Sequence, residues 1–198
     1  MTPLASFLAV RWLPNANQKV REALLIVAGA LWVALLAQVR ILLPFTPVPI
    51  TGQTFAVLLV GAALGAGRGA AALMLYLTMG LGGLPVFAGG AAGFAHLTGP
   101  TGGYLIGFVL AAYVIGRMAE RGLERRMRTS FLPFLVGTAI IYLAGVSWLA
   151  MYIGLPAAVE KGLLPFLIGD ALKLLLASIA LPSAWKLAQG IAPHSEIN

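Results

Sequence analysis

The chain reads as five or six long apolar stretches separated by glycine, proline or clustered charge. In hydrocarbon every backbone N–H and C=O must be satisfied inside the protein, and a helix does this within a single segment. A succession of such stretches therefore leaves little besides a bundle of transmembrane helices. We expect helices over roughly 22–43, 53–67, 69–84, 102–119, 131–154 and 164–188. The second and third fall short of the about 20 residues of a full span, so a tight hairpin around Gly67, Arg68 and Gly69, buried against its neighbours, is predicted. Composition points the same way. Hydrophobic residues make up 60% and charged residues 10%, whereas a soluble domain carries about a quarter charged. The reading is one all-α membrane domain of about six transmembrane helices over 22–190, preceded by an N-terminal segment 1–21 and followed by a tail 191–198.

A net charge of +7 would suggest nucleic acid in a soluble chain, but here the cations fall between apolar segments, where they orient helices. Six spans put Arg11, Lys19, Arg21, Arg68, Arg117, Arg121, Arg125, Arg126, Arg128 and Lys186 on one side, and only Arg40 and Lys161 on the other. The positive-inside rule makes the first side cytoplasmic and both termini cytoplasmic, in a cell-membrane protein with no nucleic-acid partner. Residues 4–13 suit a short interfacial helix, and the opening residues lack the basic leader of a cleaved signal. Glu120 and Glu124 lie three or four positions from arginines, as on a solvated helix end.

Several reactive chemistries are absent. No cysteine is present, so disulfides, thiolate metal sites and cysteine nucleophiles are excluded. His96 and His194 are far apart without nearby carboxylates, and no serine sits in a nucleophile-elbow pattern, so neither a metal site nor a catalytic triad is expected. No Lys follows the glycines in the pattern of a phosphate loop, so no ATP hydrolysis is expected.

Four features could carry function. Asp170 and Lys173 sit in the last apolar segment at a spacing of three, on one helical face. Each costs about 2.5 to 3.5 kcal/mol at a helix centre, so the pair belongs in the bundle interior or a watered cavity, as ligand-binding groups or as an internal salt bridge. The loop RILLPFTPVPITGQT carries Pro44, Pro47 and Pro49, which prevent helix and stiffen an extended connection. It offers Thr46, Thr51, Gln53 and Thr54, and the Gln53 amide both donates and accepts, suiting a neutral amide or urea. Arg40 suits either a ligand carboxylate or an interfacial anchor. The segment GLGGLPVFAGGAAGFAHLTGPTGGYLIGF is too irregular for one helix and fits backbone lining a cavity or packing helices, with Phe87, Phe94 and Tyr104 as possible walls. Finally, Ala30 with Ala34 and Gly61 with Gly65 are small residues at spacing four, suited to internal packing or to docking a partner.

In the stretches QVRILLPFTPVPITGQTFAVLL, LGGLPVFAGG, GPTGGYLIGF and GDALK, in that order, the chain resembles the BioY family, the biotin-specific substrate-binding components of energy-coupling-factor (ECF) transporters. The likeness runs from about Ala23 to Leu187. It implies a six-helix bundle of the S-component type with an extracytoplasmic pocket closed by the first loop. Biotin would be a ligand, not a cofactor, and the partners would be a transmembrane coupling subunit and two ATPases. It further implies that Asp170, Lys173, Tyr104, Gly103 and Gln53 belong to the pocket or its lid, and that the first helix, with Ala30 and Ala34, faces the coupling subunit. Chemical matching sets Lys173 opposite the valerate carboxylate and Asp170 toward the ureido N–H groups, or orienting Lys173. Thr98 stands where some relatives carry an amide, so one ureido contact does not carry over. The rival readings are a stand-alone vitamin facilitator and an S component for another vitamin such as thiamine or riboflavin.

Overall fold

The computed structural model describes residues 2–190. The tail assigned to 191–198, with His194, lies outside the described residues. A first helix, α1 (Leu4–Trp12), buries Leu4, Ser6 and Ala9 against α2 (Gln18–Ala37) and α3 (Gln53–Leu64). The Asn17 side chain caps α2 by accepting from the Lys19 amide at 3.1 Å. Its apolar residues divide into two faces. Gly29, Ala30, Val33, Ala34 and Ala37 are buried toward α4 (Ala66–Leu81) and α3, while Leu24, Val27, Leu31 and Leu35 remain exposed, as lipid-facing positions should.

A short helix, α5 (Phe94–Leu97), stands in the segment that follows α4. Four segments are long and apolar enough to cross a membrane: α2, α6 (Gly102–Ala119), α7 (Met127–Ile153) and the run Leu155–Gly190, which comprises α8 (Leu155–Gly162), a 3-10 turn and α9 (Leu167–Gly190). The other two members of the bundle are short, as expected. α3 has 12 residues and α4 has 16, about 18 and 24 Å against a core of about 30 Å. The reversal between them falls at Gly65, with φ 83°, and not at 67–69. There the Glu120 carboxylate accepts from the Ala66 amide at 2.9 Å and caps α4, so Arg68 lies inside the helix. α3 is the most enclosed element. A Cβ at Gly61 would lie 2.9 Å from the Ala112 carbonyl of α6, so the two backbones touch there.

Four further local expectations change. The first span ends at Ala37 and not at 43, because Arg40–Ile41 (β1) pairs antiparallel with Ile50–Thr51 (β2), turning the proline loop into a hairpin. α7 begins at Met127 and not at 131, and α8 is a helix where a connection was expected. Glu124 is not a solvated charge. It is fully buried, its Oε1 accepts from Trp185 Nε1 at 3.0 Å, and the Arg125 guanidinium lies 4.1 Å over the same indole. Arg125 also donates to the Thr2 carbonyl at 3.0 Å, so the start of the chain, the α6–α7 connection and α9 are tied together. Burial pushes the Glu124 carboxyl up, opposed by its own backbone, Trp185 and Arg125.

Candidate binding site

At the end of the bundle away from α1, the hairpin, the irregular 82–101 segment, the first turns of α3, α6 and α9 and the middle of α7 enclose a cavity of about 430 Å³. That volume is in the range of a small-molecule site. Its apolar wall is built from Val48, Leu105, Phe108, Ile141 and Phe166, and its irregular wall from Ala88, Ala91, Ala95 and Gly99–Thr101. Helices end around it because glycine and proline interrupt them, which leaves non-helical backbone where it lines a cavity and not where it meets lipid.

The polar face is a single cluster. Lys173 Nζ donates to Asp170 Oδ1, Thr54 Oγ1 and the Thr51 carbonyl, each at 2.8 Å. Asp170 also accepts from Thr54 Oγ1 at 3.2 Å and, on Oδ2, from the Tyr142 hydroxyl at 2.6 Å. Asp170 is 7% exposed. An ammonium has three protons and all three are placed here, whereas a carboxylate has about four acceptor positions and three are filled. The cluster therefore faces the cavity mainly as an acceptor, through Asp170 and the oxygens of Tyr142 and Thr54. Sequence reasoning placed Asp170 and Lys173 together but missed Tyr142. Its signal was a phenol in the middle of the apolar run AIIYLAGV, where a hydroxyl must find an internal partner.

The other anticipated residues separate. Gln53 is buried under the hairpin, donating to the Tyr76 hydroxyl at 2.6 Å and accepting from Thr51 Oγ1 at 3.0 Å, and it lines the cavity. Tyr104 lines it as well, but its hydroxyl is turned to the Gly162 carbonyl at 2.7 Å. Gly103 points elsewhere: a Cβ there would lie 2.8 Å from Trp148 Cγ, so this glycine seats α6 against α7 and does not line the cavity. Arg40 lines the mouth from β1 and remains exposed, with its guanidinium beside Gly89. Ala30 is fully buried and Ala34 is 9% exposed, so within the chain itself the small-residue pair packs α2 against the bundle. Phe87 and Phe94 form no wall. Phe87 is enclosed against Tyr76 and His96, and Phe94 is exposed. Thr98 bonds back to the Phe94 carbonyl at 3.1 Å, while its own carbonyl accepts from the Tyr152 hydroxyl. His96, which does line the cavity, is held below its ordinary range by burial and so stays neutral around pH 7.

Fold and site together define a class: a multi-pass helical membrane protein with a substrate-sized cavity near one surface and a built polar cluster inside its last span. A model of the BioY family matches residues 10–190, and the chain belongs to that family. A probable biotin transporter BioY from Pyrococcus horikoshii is 40% identical over 156 residues, covering 78% of this chain and 90% of that protein. The biotin transporter BioY of Thermotoga maritima is 39% identical over 160 residues, covering 78% and 91%. Among solved structures, the S-component for biotin from an ECF-type ABC transporter superposes with a TM-score of 0.79 at 27% identity, covering 87% of this chain and 94% of that one.

Proposed function

We propose that this chain captures biotin on the outer face of the cytoplasmic membrane as the S component of an ECF-type transporter. The observation that carries the reading is the Asp170–Lys173–Tyr142–Thr54 cluster on the wall of the cavity. A ureido ring brings two N–H donors on a neutral group, which suits a buried face with acceptor positions left open and no free cation. Asp170 and the Tyr142 oxygen take those N–H groups, and Lys173 holds the carboxylate ionised and in place. This departs from the expectation that Lys173 meets the valerate, because its three protons are already engaged. The valerate falls to Arg40 at the exposed mouth, where a carboxylate keeps part of its hydration and avoids the cost of full burial. The hairpin couples the two ends, since Arg40 pairs in register with Thr51, whose carbonyl receives Lys173.

In this reading both termini are cytoplasmic and the cavity opens outside, which the basic residues clustered at the α1 end support. The chain itself hydrolyses no ATP in this reading, and the energy comes from a coupling subunit with two ATPases. The likeness to the solved biotin S-component of an ECF-type transporter supports this assembly over a stand-alone facilitator. The test is radiolabelled biotin binding to the purified full chain, competed with thiamine and riboflavin. Competition by unlabelled biotin alone is expected. Displacement by another vitamin at equal concentration would overturn the assignment.

A further inference from the structure

A second cavity, of about 340 Å³, opens at the α1 end between α1, the first turns of α2 and the start of α4. Two guanidiniums line it. Arg21 Nε donates to the Ala16 carbonyl at 3.0 Å and Arg68 Nε to the Leu64 carbonyl at 3.1 Å, so each is fixed by one nitrogen and its terminal nitrogens have no hydrogen-bond partner among the described residues. Ser6 also lines the cavity; it is 9% exposed, and its hydroxyl has no hydrogen-bond partner among the described residues. A buried hydroxyl beside two pre-fixed guanidinium forks is a donor set for a tetrahedral oxyanion.

We propose that this cavity binds a phosphate, and that its source is the phosphodiester of an anionic membrane phospholipid. Charge balance and an apolar edge together favour the lipid over free phosphate. Glu22 shares the cavity, with Oε1 accepting from Gln18 Nε2 at 3.0 Å. Two arginines and one glutamate leave a charge of +1, which a phosphodiester monoanion neutralises and a phosphate dianion overshoots. The edge is apolar as a lipid requires: Val10, 57% exposed, and Leu25 line the same cavity, and the exposed Leu24–Val27–Leu31 face of α2 continues from it for acyl chains. The site lies on the side opposite the substrate cavity, so a lipid bound there pins α1 to α2 and α4 without touching the capture site.

Native mass spectrometry of the purified full chain tests this, with phosphatidylglycerol and inorganic phosphate titrated in parallel. We expect one phosphatidylglycerol per chain, held about tenfold less tightly by Arg21→Gln and by Arg68→Gln, and not displaced by an equal concentration of phosphate. Biotin binding should be unchanged in both variants, which also reports that they fold. If either glutamine variant fails that check, Arg68→Lys replaces it, because it keeps the charge and loses only the planar fork; it too should weaken the lipid. Lipid retention at wild-type strength in the folded variants overturns the site. Preferential retention of inorganic phosphate overturns the lipid as its occupant.

Discussion

Replacing Arg40 by glutamine separates the two ends of the proposed ligand. Arg40 sits on the exposed rim of the cavity, so its pairing with a carboxylate lies between two limits. A fully exposed ion pair is worth about 0.2 to 1 kcal/mol, and a hydrogen bond to a charged group in a sheltered site about 1.5 to 3 kcal/mol. The guanidinium packs beside Gly89 on one side and faces the cavity on the other, which places it near the bottom of the second range. About 1.5 to 2 kcal/mol corresponds to biotin binding roughly 10- to 30-fold more weakly. Biotinamide lacks the carboxylate and should lose less than about threefold, on the scale of a lost exposed contact. Isothermal titration of the purified full chain with both ligands, at two salt concentrations, reads the difference, and the biotin deficit should narrow as salt rises. Equal losses for biotin and biotinamide would show that Arg40 acts only through the hairpin. No loss for either would remove Arg40 from the carboxylate and refute the reasoning.

Other parts of the structure give equally direct expectations. Tyr142→Phe removes a donor to Asp170 and an acceptor facing the cavity, so biotin and biotinamide should weaken alike, by about tenfold for a lost hydrogen bond to a charged group, in the same titration. Gly145→Val places its Cβ inside the ring of Tyr104, which must swing toward the cavity; at an overpacking cost of about 1 to 3 kcal/mol, thermal unfolding in detergent should fall and biotin should weaken with it. Glu124→Gln should raise the thermal midpoint at pH 7. A carboxyl held above its ordinary value near 4.5 contributes stability below that pH and loses it as the pH rises through the folded value, so the advantage of the variant should shrink as the pH falls toward 4.5. An unchanged difference across that range would contradict the burial argument.

Much of the architecture was legible because hydropathy fixes how many helices a membrane chain of this size contains, and glycine, proline and charge mark where they stop. The Asp170–Lys173 pair was legible for the same reason, since two charges inside an apolar run require an internal partner. What stayed hidden depended on partners distant in sequence. Nothing in VRILLP announces that Ile41 will pair with Ile50, so the first helix read six residues too long, to 43 instead of Ala37. Glu124 looked solvated because its local sequence is rich in arginine; its burial under Trp185 joins residues 61 positions apart. Small residues at spacing four suit an internal or an external contact equally, and only the packing of α2 on α4 and α3 assigns Ala30 and Ala34 to the inside. Gly103 sat next to Tyr104 in a motif, but consecutive helical residues point about 100° apart, and one faces α7 while the other lines the cavity.

The central claim is that the Asp170–Lys173 pair binds a ligand and does more than hold helices together. The double variant Asp170→Asn with Lys173→Met tests it most directly, by biotin titration on purified protein. Each single substitution leaves a buried charge without its partner, so poor expression of either alone is expected under both views. Removing both charges relieves that cost, and the double variant should express and elute as the wild type does. We predict that this well-folded protein binds biotin at least tenfold more weakly than the wild type, and biotinamide equally so. Wild-type affinity for biotin in the double variant would show an internal structural pair and contradict the account.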